Sequence, residues 1–489
     1  MLCSSLLLAA AGVAAAPDPA VPAWTAPRPD PALPLGGFSR LPYAQPISLV
    51  YAATTEADGL YNHNVFLGFH PGGRFLFTYW KNGVLYEDKP GQRELISFSK
   101  DGGKTWSGIL NGSQSHPPQV LFPNMTTPGR EAVMFGAPPL TLGEGRRVYA
   151  AASPGYYNRS KSDVHVAQGA QCALWPDSLD PRNCGPAQSY AVEYHQTLLM
   201  RRINNDGSLG PLFWASERGP PALFEAATAA LGILSLTDTD ADTQADIALL
   251  NHQRGERVTP PGCDPRTDGV VKCEWCPGPG CQQFTDIPWN LGITNERSVY
   301  RATGLMPGVT ADKIAHVYHD IILYRDSKTS LYASSRPVNI TDYRNSTAVT
   351  YGSWSPTVIT DIPNDSSNIN TGLLPDGRIF LTGNPVTRGH STMGRDPLTL
   401  ATSKDGGWTF DSCGVVCTCN DLPVLPARRA WTNTSCVPAF NHSVNHGPSY
   451  PQLLSVVAPM APEDFIGTYV AFSNNKEDIY VVKLHPRGF

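Results

Sequence analysis

Short apolar runs alternate with turn residues along most of this chain. Leu95-Ile96-Ser97-Phe98 switches between apolar and polar with the period of two that marks a half-buried strand. It runs into Ser99-Lys100-Asp101-Gly102-Gly103-Lys104-Thr105-Trp106. Asp-Gly-Gly predicts a tight turn, because glycine supplies positive φ and the carboxylate accepts hydrogen bonds from the turn's own N–H groups. Thr105 and Trp106 then restart a strand, with the indole placed to plug the space beneath the turn. The unit returns as Ser403-Lys404-Asp405-Gly406-Gly407-Trp408-Thr409-Phe410, after Thr399-Leu400-Ala401-Thr402.

A second signal keeps step with the first. Gly73-Arg74-Phe75-Leu76-Phe77, Gly145-Arg146-Arg147-Val148-Tyr149 and Gly377-Arg378-Ile379-Phe380-Leu381 each open an apolar strand after a turn. Gly73 lies 28 residues before Asp101, and Gly377 lies 28 residues before Asp405. The middle copy pairs loosely with Asn204-Asn205-Asp206-Gly207-Ser208, at a longer spacing that predicts an insertion. Each unit reads as about four short strands, which cannot bury their faces alone. Radial packing leaves such sheets only short, protected edges. The expectation is therefore an all-β chain: a β-propeller of six blades, each a four-stranded antiparallel sheet, with disulfide-bearing insertions. The early strand Ile47–Ala52 is expected to close the ring against the last strands, Tyr469–Phe472 and Ile479–Val482.

Composition refines this picture. The 489 residues, 41% hydrophobic with 44 glycines and 45 prolines, suffice for a large core and many turns. A net charge of −5 gives no nucleic-acid footprint. Residues 1–16, with the apolar Leu6–Val13 run and Ala14-Ala15-Ala16, read as a signal peptide, although no Lys or Arg precedes the run. Residues 17–36 read as a Pro-rich linker and 37–489 as the propeller, with insertions near 155–190 and 215–290. No later run is long enough for a membrane span. Ten cysteines follow the leader: Cys172, Cys184, Cys263, Cys273, Cys276, Cys281, Cys413, Cys417, Cys419 and Cys436. Their local clustering suits disulfides, whereas in a cytosolic protein the Cys263–Cys281 group would suit zinc. Asn111, Asn124, Asn158, Asn339, Asn345, Asn364, Asn433 and Asn441 are glycosylation acceptors by sequence. The reading is a secreted, extracellular, N-glycosylated monomer with no cofactor or metal. Leu223–Leu236 is read as a short packed helix. Asp238, Asp240, Asp242 and Asp246 are read as a solvated turn, since the glycine and terminal glutamate of a calcium loop are missing.

With two Ser-x-Asp-x-Gly-x-Thr-aromatic units in place, the chain resembles the sialidase superfamily, whose β-propellers carry this Asp-box or BNR repeat. In that family the box marks the fold, on an outer hairpin remote from the central site. The resemblance therefore makes Asp101 and Asp405 structural. It also implies a carbohydrate-active protein: an exo-glycosidase on acidic terminal sugars, with an arginine triad, a tyrosine nucleophile helped by a glutamate, and an aspartate acid/base. A guanidinium fork binds a carboxylate through two hydrogen bonds. A phenol near pKa 10 needs a neighbouring base to attack. The sialidases' Phe/Tyr-Arg-Ile-Pro signature is absent, and Phe38-Ser39-Arg40-Leu41-Pro42 matches it only loosely. Glu87–Arg93, Arg395-Asp396-Pro397-Leu398 and Asn475–Ile479 look more like a sialidase-like branch.

Carried onto this sequence, the catalytic candidates are Tyr450, Glu296 and Asp88. The substrate-binding candidates are Arg93, Arg301, Arg395 and His63. Glu87, Arg297 and Asp396 accompany them in charged turns, and each set reads equally as an ion-paired surface turn or strand edge. Trp80, Tyr86 and Trp354 are sugar platforms or core. Two further readings stay open. One is a uronate lyase, some of whose propellers resemble this one, using His63, Tyr450 and an arginine such as Arg93. The other is a non-catalytic glycan-binding propeller. The partner in every case is a glycan.

Overall fold

The computed structural model describes residues 24–485, apart from 159–190, 255–296, 303–316 and shorter loops that include 84–90, 111–115, 352–357, 386–393, 427–433 and 440–445. Strands dominate. Among the described residues they form five sheets, each with four strands in an antiparallel path. The sixth blade expected from the sequence has no strands among them. No described helix is long and apolar enough to cross a membrane.

The first sheet runs Tyr61–His70, Phe75–Gly83, Arg93–Ser99, Gln119–Phe122. The second is built on Ala132–Leu142, the third on Arg297–Ala302, the fourth on Asn370–Leu373 and the last on Pro448–Val456. These five lead strands touch in the succession Arg297–Ala302, Asn370–Leu373, Pro448–Val456, Tyr61–His70, Ala132–Leu142. They are the inner strands of a propeller, and the sheets radiate from them. Ring closure is as expected: Ser48–Ala52 pairs antiparallel with Asp478–Leu484, completing the last sheet with an N-terminal strand.

The first sheet is packed on both faces, which explains why its second strand is buried without alternation. Phe75–Gly83 is buried at every position. Phe66, Phe77, Tyr79, Ile96 and Phe98 face the second sheet, with Met134, Val148 and Ala150 opposite. Val65, Leu67, Trp80 and Leu95 face the last sheet, with Tyr469, Ala471 and Val481 opposite. Full burial of each large side chain stabilises by about 1.5–3 kcal/mol.

Both Asp-boxes are turns between the third and fourth strands of their sheets. Asp101 accepts from Ser99 Oγ (2.8 Å), Lys104 N (3.0 Å), Thr105 N (3.0 Å) and Thr105 Oγ1, while Gly103 N donates to Ser99 Oγ. Asp405 repeats the pattern with Ser403 Oγ (2.7 Å), Trp408 N (3.0 Å), Thr409 N (2.9 Å) and Thr409 Oγ1. Gly102, Gly103, Gly406 and Gly407 all have φ between 70° and 95°, the requirement the Gly-Gly pair meets. Burial alone would raise the Asp101 carboxyl; the hydrogen bonds from Thr105, Ser99 and Lys104 outweigh it and hold it below the ordinary range.

Elsewhere the chain departs from its sequence reading. Trp24, within the stretch read as a linker, is 6% exposed and stacks on Trp408 at 5.1 Å. Glu225–Leu231 is the packed helix, with Phe224 against Trp214 at 5.5 Å. In the aspartate series Asp238, Asp240 and Asp242 are exposed, as the solvated-turn reading has them, but Asp246 is buried. Asp240 accepts from Thr243 N at 2.9 Å at the start of helix Ala241–Arg254. Asp246, on that helix, takes Arg147 through two hydrogen bonds and Tyr149 at 2.9 Å. A bidentate guanidinium outcompetes water once the carboxylate is buried.

Cys419 and Cys436 form a disulfide. Cys413 and Cys417, expected in bridges, are free thiols. They lie four residues apart on one strand, about 13 Å at 3.3 Å per residue, beyond the reach of a disulfide. The other six cysteines lie outside the described residues. So do Asn111, Asn345, Asn433 and Asn441. Asn158 and Asn339 fall in strands, and Asn124 is exposed. Asn364 is a correction: it is 1% exposed and its amide donates to Ser367 O at 3.1 Å, leaving no room for a glycan.

Candidate functional site

The Asp-boxes and the Gly-Arg turns occupy one end of the strands. At the other end left-handed residues cluster. Asn64, Tyr450, Asn475 and Lys476 have φ between 53° and 59°, and Gly447 has φ 94°. A left-handed residue with a side chain costs about 1–3 kcal/mol, and such positions persist where surrounding structure enforces them. Two of these positions sit at β-bulges. The ladder of Tyr61–His70 with Phe75–Gly83 shifts register between His63 and Phe66. The ladder of Pro448–Val456 with Gly467–Asn474 shifts between Ser449 and Gln452. A bulge re-aims side chains that a regular strand would direct into the sheet faces.

The result is a contact between rings of two sheets. His63 and Tyr450 have centroids 3.9 Å apart at 49°. The guanidinium carbon of Arg395 lies 5.0 Å from the same Tyr450 ring, within cation–π range. His63 Nδ1 is 2.6 Å from Ser473 Oγ, and that hydroxyl donates to Ser449 O at 3.4 Å. This chain of donors assigns the proton to Nδ1 and the lone pair to Nε2. His63, Tyr450 and Arg395 are 0%, 3% and 3% exposed, so a ligand reaches them only by displacing what covers them.

Asparagines hold the constellation. Asn384 donates from Nδ2 to Arg395 O (2.8 Å), Pro397 O (3.0 Å) and Pro448 O (2.9 Å), tying the Arg395 segment to the Tyr450 strand. Asn475 accepts from Gly447 N (2.8 Å) and donates to Ser435 O (2.9 Å), beside the Cys419–Cys436 bridge. Asn62 bonds Glu477 O (2.9 Å) and accepts from Trp80 Nε1 (3.0 Å) and Asn82 Nδ2 (2.9 Å). Arg93 donates to Asn82 Oδ1 at 2.9 Å, one row along the sheet from His63. Trp80 is core, as its default reading had it.

In the next row His63, Lys81 and Glu94 pair across three strands. Lys81 and Glu94 are both fully buried. Glu94 presses on Gly136 of the second sheet, where a Cβ would stand 2.7 Å from either carboxyl oxygen. Burial pushes the Glu94 carboxyl up to about 8, against the pull of Lys81 and the Gly136 backbone. Both carboxyl oxygens lack a partner of good hydrogen-bond geometry, so the Gly136 contact is a weak one.

Of the residues named from sequence, the structure brings together His63, Tyr450 and Arg395, with Arg93 nearby. Arg297 and Arg301 lie on the strand Arg297–Ala302, paired with Val317–Tyr324. Glu87, Asp88, Glu296, Tyr86 and Trp354 lie outside the described residues. Arg40 is not part of this contact: it pairs with Asp421 at 2.6 Å beyond the outer strand of the fourth sheet. Asp396 neighbours Arg395 in sequence but turns to the disulfide, with Cys419 N donating to it at 3.2 Å. Burial pushes its carboxyl up to about 6, with Asp421 adding to the rise and Cys419 N and Arg40 opposing it. Asp396, Cys419 and Cys436 are also the described group closest to metal-ligand spacing, but disulfide sulfurs are not thiolate ligands.

A family model described as a BNR repeat-like domain matches residues 308–459. The solved structure of a sialidase matches 95% of this chain at 15% identity with a TM-score of 0.52. The match covers 35% of that protein, so the chain spans about a third of its length. A Dyadobacter fermentans DSM 18053 protein of unknown function covers 93% of this chain and 100% of its own at 11% identity, with a TM-score of 0.32. A GH62 hydrolase in complex with xylotriose covers 92% and 99% at 8% identity, with a TM-score of 0.34. At such scores the last two likenesses are too loose to bear on this chain's activity. No curated protein matches the chain. The repeat-like domain over residues 308–459, the paired Asp-boxes and the propeller-type fold together support a likeness to the sialidase/BNR-repeat superfamily.

Proposed function

We propose that this chain is an exported, carbohydrate-active enzyme for acidic sugars, working as a monomer at the strand ends around His63, Tyr450 and Arg395. One observation carries the reading: a Tyr450 ring with His63 at 3.9 Å and Arg395 at 5.0 Å, on bulged, left-handed backbone. A glycan-binding propeller without chemistry has no need of a histidine–tyrosine contact held at that cost. Arg395 takes the sugar carboxylate. In the hydrolytic form, Tyr450 attacks the anomeric carbon after losing its proton to a base, and an acid protonates the departing oxygen. Glu296 and Asp88 are proposed for those two roles, with Arg93 and Arg301 as further carboxylate ligands.

A second reading is favoured by what faces Tyr450, an imidazole. In uronate elimination His63 Nε2 takes the proton α to the carboxylate, whose charge Arg395 neutralises. The electrons of that C–H bond form the new C=C, the C–O bond to the leaving sugar breaks, and Tyr450 protonates the leaving oxygen.

The two forms separate with one panel: sialosides read by free sugar, and polyuronates read by the absorbance of the unsaturated product. Tyr450→Phe is expected to cut either activity by about 10²–10⁴-fold, whereas His63→Gln does so only for elimination. Well-folded protein that turns over nothing in a broad panel of acidic glycans refutes both.

A further inference from the structure

The glycosylation acceptors read from sequence do not share one setting. Asn364 is buried, and Asn158 and Asn339 sit inside paired strands. Asn124 is exposed. A glycan is bulky and polar, so an asparagine keeps one through folding only where it ends at the surface.

Asn124-Met125-Thr126 is a pinned turn just past the strand Gln119–Phe122. Met125, 1% exposed, goes into the core shared by the first two sheets. Thr126 Oγ1 accepts from Ala132 N at 3.0 Å, at the start of the second sheet. Asn124 Oδ1 accepts from Thr126 N at 2.9 Å. That N–H holds the oxygen, so the amide orientation is settled and Nδ2 points away from it. Beside Nδ2 lies Gly91, where a Cβ would stand 3.8 Å away and where no side chain obstructs an added sugar.

The strand that ends at Phe122 is the outer edge of the first sheet. Among the described residues it pairs only with Arg93–Ser99. An open edge is a template for another chain's strand. This one is short, flanked by Pro118 and Pro123, and has Leu121 O capped by Arg201 at 3.1 Å. Its four residues nevertheless carry no charge, and Val120 is 41% exposed, so these devices leave the edge incompletely blunted.

We propose that Asn124 carries an N-linked oligosaccharide, which completes the protection of the outer edge of the first sheet. A strand added to Gln119–Phe122 would run past Asn124 and meet the sugar. The attachment is a group transfer from a lipid-pyrophosphate-linked oligosaccharide. Asn124 Nδ2 bonds to the anomeric carbon and gives one proton to a base of the transferase. The bond from that carbon to the pyrophosphate oxygen breaks, and its electron pair leaves with the pyrophosphate. The proposal rests on the export and the monomeric state in the reading above, and on none of its chemistry.

The test produces residues 17–489 through a eukaryotic secretory pathway behind a substitute leader, which keeps it independent of the native leader and of turnover. An amidase that releases N-glycans leaves aspartate where a glycan stood, and peptide mass spectrometry is expected to find that change at Asn124. Light scattering over a concentration series then compares the forms. The glycosylated chain should stay monomeric, whereas the deglycosylated chain and Asn124→Gln should lose monomer. Adding Val120→Lys, a charge on the edge, should restore it. Should Asn124→Gln fail to fold, the deglycosylated chain with and without Val120→Lys decides. An unmodified Asn124, monomers that survive deglycosylation, or association that Val120→Lys leaves unchanged overturns the proposal.

Discussion

Glu94 is a costly side chain to bury, and its cost can be measured. In the folded chain its carboxyl is fully buried and holds its proton to about pH 8, against 4.5 for an unperturbed group. Burial raises it, and the neighbouring Lys81 charge is too weak a counterweight. Among the described neighbours, Tyr79 gives its hydroxyl proton to Ala137 O and Gly136 presents backbone, and neither supplies a positive charge. Between pH 4.5 and 8 the unfolded chain has released this proton and the folded chain has not. Fewer protons on the unfolded state means stability falls as pH rises, by about 1.4 kcal/mol per pH unit. Over that window the loss amounts to about 5 kcal/mol. Glu94→Gln keeps the shape and removes the ionisation. Urea unfolding of both proteins at a series of pH values isolates the effect, because every other titration cancels in the difference. Near pH 4 the two should differ little. By pH 7 the glutamine variant should lead by about 3 kcal/mol, and above pH 8 the gap should level off. Parallel curves from pH 5 to 8 would refute the reasoning and show Glu94 ionised against Lys81.

Two further outcomes follow from the geometry. Asp405→Ala strips the acceptor from four donors in a half-buried turn and should cost about 2–4 kcal/mol in chemical denaturation, with turnover per folded molecule unchanged. Lost turnover at intact stability would place the Asp-box in the chemistry after all. Gly447→Ala puts a Cβ 2.9 Å from Arg395 O at φ 94°. It should lose about 1–3 kcal/mol of stability and most turnover together, read by calorimetry beside the sugar-release assay.

The parts of the fold legible in sequence were those fixed by local stereochemistry. Asp-Gly-Gly can do little but make the turn seen at Asp101 and Asp405, and the equal offset to the Gly-Arg strands announced the repeat. Ring closure by Ile47–Ala52 followed from pattern alone. The site was harder to see. His63, Tyr450 and Arg395 were named, but their meeting depends on two bulges and a run of left-handed residues, which no period of two encodes. The asparagines that hold them were missed because an isolated Asn at a strand end reads as a turn residue. Only Asn384, in Gly383-Asn384-Pro385 at the end of an apolar strand, carried a faint signal, a polar residue where the chain was still buried. Asp246 was misread for the same reason: its partner Arg147 is far away in sequence.

The joining of Ser48–Ala52 to Asp478–Leu484 has a consequence for how the chain is made. Ser48 and Val481, hydrogen-bonded neighbours, are 433 residues apart. At about 5–20 residues per second of synthesis, the first-made strand waits roughly 20–90 s for its partner. During that interval Ser48–Ala52 is without its strand partner, and unpaired strand edges recruit other chains. Folding during synthesis can complete the intermediate sheets before the ring, and the closing step must overcome the entropy of a very long loop. Losing Asp478–Leu484 would therefore free Ser48–Ala52 as well, leaving the last sheet two strands short where one had been cut.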